Sequence, residues 1–140
     1  MRGLGRIGIA LVVMALLAGC DGEKETDSAS AARCDDAAFR GQDEELYVVQ
    51  ATITNVIGGG GDPATLRLDL RRGRTALAEY LAANPPCDKA LKEIATTEDQ
   101  AVAALDEATA ALDDGSDAAA PLARALEMLK SAQEALASSR

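Results

Sequence analysis

Three interruptions constrain what the stretch from Cys34 to Ala137 can fold into. They are Gly58-Gly59-Gly60-Gly61-Asp62-Pro63, Asn84-Pro85-Pro86 and Asp113-Asp114-Gly115-Ser116-Asp117. Four consecutive glycines lose too much backbone entropy to stay helical. A proline lacks the N–H that a helix interior needs, and it pushes the residue before it toward extended backbone. Between these breaks the chain is rich in alanine and leucine, and β-branched alternation is scarce. That composition reads as helix in every segment.

The apolar residues then supply one face per segment. Asp35 or Asp36 caps a first helix, along which Phe39, Gln42, Leu46, Val49, Ile53 and Val56 recur every three or four residues. Asp62 and Pro63 suit the cap and first position of a second helix, with Leu66, Leu70, Gly73, Leu77, Tyr80 and Leu81 inward. A third stripe of Leu91, Ile94, Val102, Leu105 and Leu112 runs from Asp88 to Asp113. Within it, Thr97-Glu98-Asp99-Gln100 has the form of a capping box. An unbroken helix would span about 39 Å at 1.5 Å per residue and would put Glu98 on the buried face. The expectation is therefore a kink or break near Thr96. Pro121 opens the last helix, whose inner face carries Leu122, Leu126, Leu129 and Leu136.

Short connections between amphipathic helices predict an all-α fold, an antiparallel up-down bundle of about four helices. Its core is thin, because one phenylalanine and two tyrosines are the only aromatic residues.

The N-terminus carries an address. The apolar run from Ile7 to Leu17 is shorter than the roughly 20 residues that span a bilayer. Arg2 and Arg6 precede it and small residues end it, as in an export signal. Its end, Leu17-Ala18-Gly19-Cys20, resembles the lipobox of bacterial lipoprotein precursors. The resemblance covers residues 1–20 only. It implies cleavage after residue 19, a diacylglycerol thioether at Cys20 and attachment to a membrane of the bacterial cell envelope. Asp21 resembles the signal that retains such proteins in the inner membrane. Residues 20–33 then form the lipidated cysteine and a polar, flexible tether, and residues 34–137 the bundle domain. With Cys20 lipidated, two of the three cysteines remain, Cys34 and Cys87, an even pair in a compartment where disulfides persist. An antiparallel first pair of helices puts both at one end, whereas a parallel pair would hold them about 30 Å apart. That end adjoins the tether, so the disulfide is expected at the membrane-proximal end.

Residues 1–19 hold two arginines and no acids. Removing them leaves 12 basic and 23 acidic residues, net −11. Such a charge argues against nucleic acid, whose binding rests on neutralised phosphates, and against lying on anionic lipid. The chain contains no histidine, which removes the usual general base and the commonest transition-metal ligand. No cofactor or metal is implied. Asp35-Asp36, Asp43-Glu44-Glu45 and Asp113-Asp114-Asp117 fit solvated caps and turns, and the last lacks the alternating ligands of an EF-hand loop. The glycine run lacks the lysine and hydroxyl of a P-loop.

Arg67, Arg71 and Arg74 are spaced four and three, so they share one helix face. They serve either as interhelical ion-pair partners, with Asp43 to Glu45 at the level of Arg74, or as a contact for an anionic partner. The functional expectation is a non-enzymatic binding or structural module for another envelope component, with a protein of the envelope as a candidate partner. The alternatives are a carrier or sensor of a small amphiphilic or anionic ligand, and a hydrolase using carboxylates on cell-wall sugar. The address itself is testable. The Cys20→Ser chain should leave the membrane fraction and the detergent-rich phase for the aqueous one, while the unsubstituted protein stays with the membrane.

Overall fold

Glycine and proline end the helices where their backbone chemistry requires. The computed structural model describes residues 33–140. The signal segment, Cys20, Asp21 and the tether to residue 32 lie outside the described residues. Cys34–Arg140 forms one compact unit. Its elements are α1 (Asp36–Arg40), α2 (Asp43–Gly58), α3 (Pro63–Ala83), α4 (Lys89–Asp114) and α5 (Ala119–Ser138). All regular structure among the described residues is helical: four long helices preceded by a short one.

The caps are chemical. Gly59 ends α2 in the left-handed region, at φ 66°, which a glycine adopts without a Cβ penalty. Asp62 then accepts hydrogen bonds from the backbone N–H and the hydroxyl of Thr65, and Pro63 takes the first position of α3. These bonds hold the Asp62 carboxyl below the usual carboxylate range, the Thr65 backbone donor contributing most. Asp88 accepts from the N–H groups of Ala90 and Leu91 to start α4, and Gly115 ends it at φ 72°. α5 begins two residues ahead of Pro121, where Asp117 accepts from the Ala119 N–H.

Two expectations change. The first concerns the opening helix, which is divided at Gly41 and Gln42 rather than continuous to Val56. The Gly41 N–H closes α1 onto Ala38 O, where the Tyr80 hydroxyl also donates, at 2.6 Å. A Cβ at position 41 would stand 3.3 Å from that carbonyl and 3.4 Å from the Tyr80 oxygen. Gln42 folds back, donating from Nε2 to Phe39 O. Asp43, Glu44 and Glu45 then fill the first turn of α2, where negative charge is favourable. The inward pattern survives the break, since Phe39, Gln42, Leu46, Val49 and Ile53 are all buried.

The second change concerns α4, which runs unbroken through Thr96 for 26 residues. Thr96 donates to Lys92 O and Thr97 to Glu93 O. Both hydroxyls therefore bond back along the same helix instead of capping a new one. Continuity keeps Leu91, Ile94, Ala101, Val102, Leu105 and Ala108 on one buried face. Glu98 lies on that face and is 0% exposed.

α2 packs on α3, α3 on α4, α4 on α5 and α5 back on α2, which closes a ring of four around the core. Small residues line several contacts. Ala101, Ala104, Ala108, Ala125 and Ala132 are buried on α4 and α5. Gly73 lets α3 lie close to α2, where an added Cβ would sit 3.5 Å from Val49 Cγ2. Buried alanine removes little apolar area from water, so each such contact stabilises weakly.

Covalent and polar links offset this. Cys34 and Cys87 form a disulfide with a Cα–Cα distance of 5.0 Å across a sequence separation of 53. Beside it the Asp35 N–H donates to Pro85 O at 2.9 Å. The Asp36 carboxylate accepts from the N–H groups of Asp88 and Cys87, and these bonds lower its pKa. No described helix is long and apolar enough to cross a membrane. Closing a loop of this length should stabilise the fold by about 4 kcal/mol on the chain-entropy estimate. The Cys87→Ser protein should show a deficit of that order in denaturant unfolding, and reduction of the unsubstituted protein should reproduce it.

Candidate functional site

The arginine row of α3 faces α4. Consecutive helical residues point about 100° apart. Gly73 is turned to α2, so Arg74 is rotated onto the α4 side. Its guanidinium binds Asp106 through both carboxylate oxygens, Nε to Oδ1 at 2.7 Å and Nη2 to Oδ2 at 2.9 Å. The Asp106 hydrogen bond raises the Arg74 pKa further. Arg71 pairs with Asp113. Arg67 directs Nη1 toward Leu112 O at 3.4 Å, in the last turn of α4, where carbonyls lack helical partners and a cation is favourable.

All three arginines are thus engaged by α4. Asp43, expected at the level of Arg74, is instead paired with Arg140, which also donates to Arg40 O. The sequence placed the arginines on one face correctly. It did not reveal which neighbour that face meets, because the answer depends on the rotation of α3 within the bundle.

Arg67 has a second neighbourhood. With Val56, Gly59, Gly61, Pro63, Leu66 and Leu112 it lines a groove of about 340 Å³ beneath the glycine turn. The groove is apolar apart from this guanidinium. The glycine run and the arginine row, separate features in the sequence, meet here. Neither signal alone marks the groove, since it needs Leu112 from α4 to form its wall.

The acidic clusters divide among caps and pairs. Asp35 caps α1 by accepting from the Ala38 N–H, Asp113 holds Arg71, and Asp117 sits at the start of α5. Among the described residues no group of three or more acidic, cysteine or histidine side chains is placed to hold a metal ion.

Among the described residues two polar side chains are fully buried, Gln42 and Glu98. Burial pushes the Glu98 carboxyl up to about 7, the nearby Gln42 amide draws it down and Asp99 raises it again. The inward pattern in the sequence contained both residues, Gln42 directly and Glu98 on the condition that α4 is unbroken.

No family model matches the chain, and no curated protein or solved structure matches it either. The geometry alone therefore ranks the surfaces. The Arg71 and Arg74 pairs are substantially exposed, and exposed pairs stabilise by under about 1 kcal/mol. Arg67→Ala, Arg71→Ala and Arg74→Ala should each shift the denaturant midpoint only slightly, with Arg74→Ala shifting it most. Any large loss of a cellular function in these variants then reports a lost contact with another molecule.

Proposed function

We propose that this chain is a lipid-anchored protein of the bacterial cell envelope, a non-enzymatic binding or structural module for another envelope component. The observation that carries the reading is the Cys34–Cys87 bond. It accounts for two of three cysteines and leaves Cys20, at the end of the Leu17-Ala18-Gly19-Cys20 stretch, as the remaining one. An oxidised pair fits an exported chain, and a thioether at Cys20 completes the accounting.

On this reading the long helices run up-down-up-down. The order of the paired residues supports it. Between α3 and α4, Arg71 meets Asp113 and Arg74 meets Asp106, so one number rises as the other falls. Between α2 and α5, Asp43 meets Arg140 and Gln50 meets Gln133 in the same sense. The disulfide end then adjoins the lipid tether, and the glycine turn points away from the membrane with the Arg67 groove beside it. That places an apolar notch with one cation where a partner from the surrounding compartment reaches it first. The protein faces the periplasm or exterior, with the inner membrane favoured by Asp21.

A second reading draws on the groove itself. An apolar hollow with a single guanidinium has the chemistry to hold a small amphiphile with an anionic head, which would make the chain a carrier or sensor. One experiment separates the two. The tagged, lipidated protein is cross-linked in living cells beside the Cys20→Ser chain, and joined proteins are identified. A single dominant partner that requires the anchor, and that weakens with Arg67→Ala, is the expected result. With no partner above the Cys20→Ser control the module reading fails. Thermal stabilisation by anionic amphiphiles, lost in Arg67→Ala, would then establish the carrier.

A further inference from the structure

The interior holds a chemical imbalance between α4 and the α1–α2 junction. Gln42 sits at that junction and Glu98 on the inner face of α4, both 0% exposed. The Gln42 amide nitrogen is engaged by Phe39 O at 2.9 Å. Three acceptor oxygens then remain without a donor: Gln42 Oε1 and both carboxyl oxygens of Glu98. Buried acceptors are normally satisfied, and a buried carboxylate needs a counter-charge.

No neighbouring element supplies one. The Gln42 amide acts on Glu98 only as a neutral donor that lowers its pKa, and on α4 the adjacent Asp99 raises it by repulsion. On α1, Arg40 donates to Ser139 Oγ, and the Asp36 carboxylate accepts from Cys87 and Asp88. On α2, Asp43 is held by Arg140 from beyond the end of α5, while Glu45 carries the same sign as Glu98. On α3 the Tyr80 hydroxyl is committed to Ala38 O. A single proton on Glu98 removes the buried charge and turns one of its oxygens into a donor for Gln42 Oε1, leaving only the Glu98 carbonyl oxygen without a donor.

We propose that Glu98 and Gln42 form a proton-operated latch: protonated Glu98 donates to Gln42 Oε1 and pins the α1–α2 junction to α4, and release of that proton to solvent loosens the junction. The proposal stands without the envelope reading. Burial raises the carboxyl from 4.5 to about 7, so the latch works near neutrality. The folded state binds this proton more tightly than the open state. Its stabilising effect is therefore complete below the open-state pKa, falls as pH rises, and is gone above the folded-state pKa. The junction ties α1, next to the disulfide, to the rest of the bundle, so loosening it changes how that end is presented.

The test uses the full chain in detergent micelles, the disulfide intact, from about pH 5 to about pH 9. The Glu98 carboxyl carbon is followed by NMR, and exchange of the Gly41 to Leu46 amides is measured and corrected for intrinsic base catalysis. The expected result is a Glu98 titration near neutrality, with opening of the junction rising roughly fortyfold between pH 5 and pH 7, about twofold more by pH 9, and then levelling. In Glu98→Gln, whose amide can donate to Gln42 Oε1 at every pH, the corrected opening should stay flat. A Glu98 titration near 4.5, or equal pH dependence in both proteins, overturns the latch. If Glu98→Gln does not fold, the titration of the unsubstituted protein decides alone.

Discussion

The bond between Cys34 and Cys87 is the covalent constraint on this bundle, whose core sets buried alanines and Gly73 among leucine, isoleucine and valine and brings α4 and α5 together partly through alanine. Such contacts bring backbones close but remove little apolar area from water. The unfolded chain has many arrangements open to it. Joining the start of the chain to the α3–α4 connection limits that freedom, and Asp36 reinforces the join by gathering the N–H groups of Cys87 and Asp88. Phe39, the single phenylalanine, is buried next to that end of the chain and is 0% exposed. The largest apolar side chain and the covalent link thus lie close together in sequence, at the start of the domain.

Far from the disulfide in sequence the logic is different. Arg67, Arg71 and Arg74 bind the later turns of α4 through charge and carbonyl contacts. These contacts are partly wet, so they orient α3 more than they stabilise it. The groove at Arg67 follows from this orientation, because Leu112 forms its wall only when α3 and α4 keep their rotation.

Much of the fold was legible because glycine, proline and capping aspartates act locally. Gly59, Asp62, Pro63, Asp88 and Gly115 delimit helices in the structure as their chemistry requires. The failures share a cause. Thr97 to Gln100 has the residues of a helix start, yet the long buried stripe of α4 outweighs that local preference and keeps the threonines inside the helix. Gly41 interrupts a helix whose periodicity is otherwise intact, and one of the groups that crowd it, the Tyr80 hydroxyl, lies 39 residues away. The partners of the arginine row were hidden for the same kind of reason. Sequence periodicity tells which residues share a face, whereas tertiary rotation decides what that face meets. The expected N-terminal address rests on residues 1–20 alone, which lie outside the described residues.

The contact between Gly41 and Tyr80 also limits how this sequence can change over time. A larger residue at position 41 is disfavoured while a tyrosine occupies position 80, because a new Cβ would sit 3.4 Å from the Tyr80 oxygen and 3.3 Å from the Ala38 carbonyl that it holds, and one of them would have to give way. Replacement of the tyrosine by phenylalanine would relieve one of these contacts and leave the carbonyl at 3.3 Å. It would also leave that carbonyl without its side-chain donor. A change at 80 therefore removes only the looser of the two contacts, and the backbone carbonyl bounds position 41 in either order of substitution. Two positions with no shared helix and no shared charge meet at a single hydroxyl.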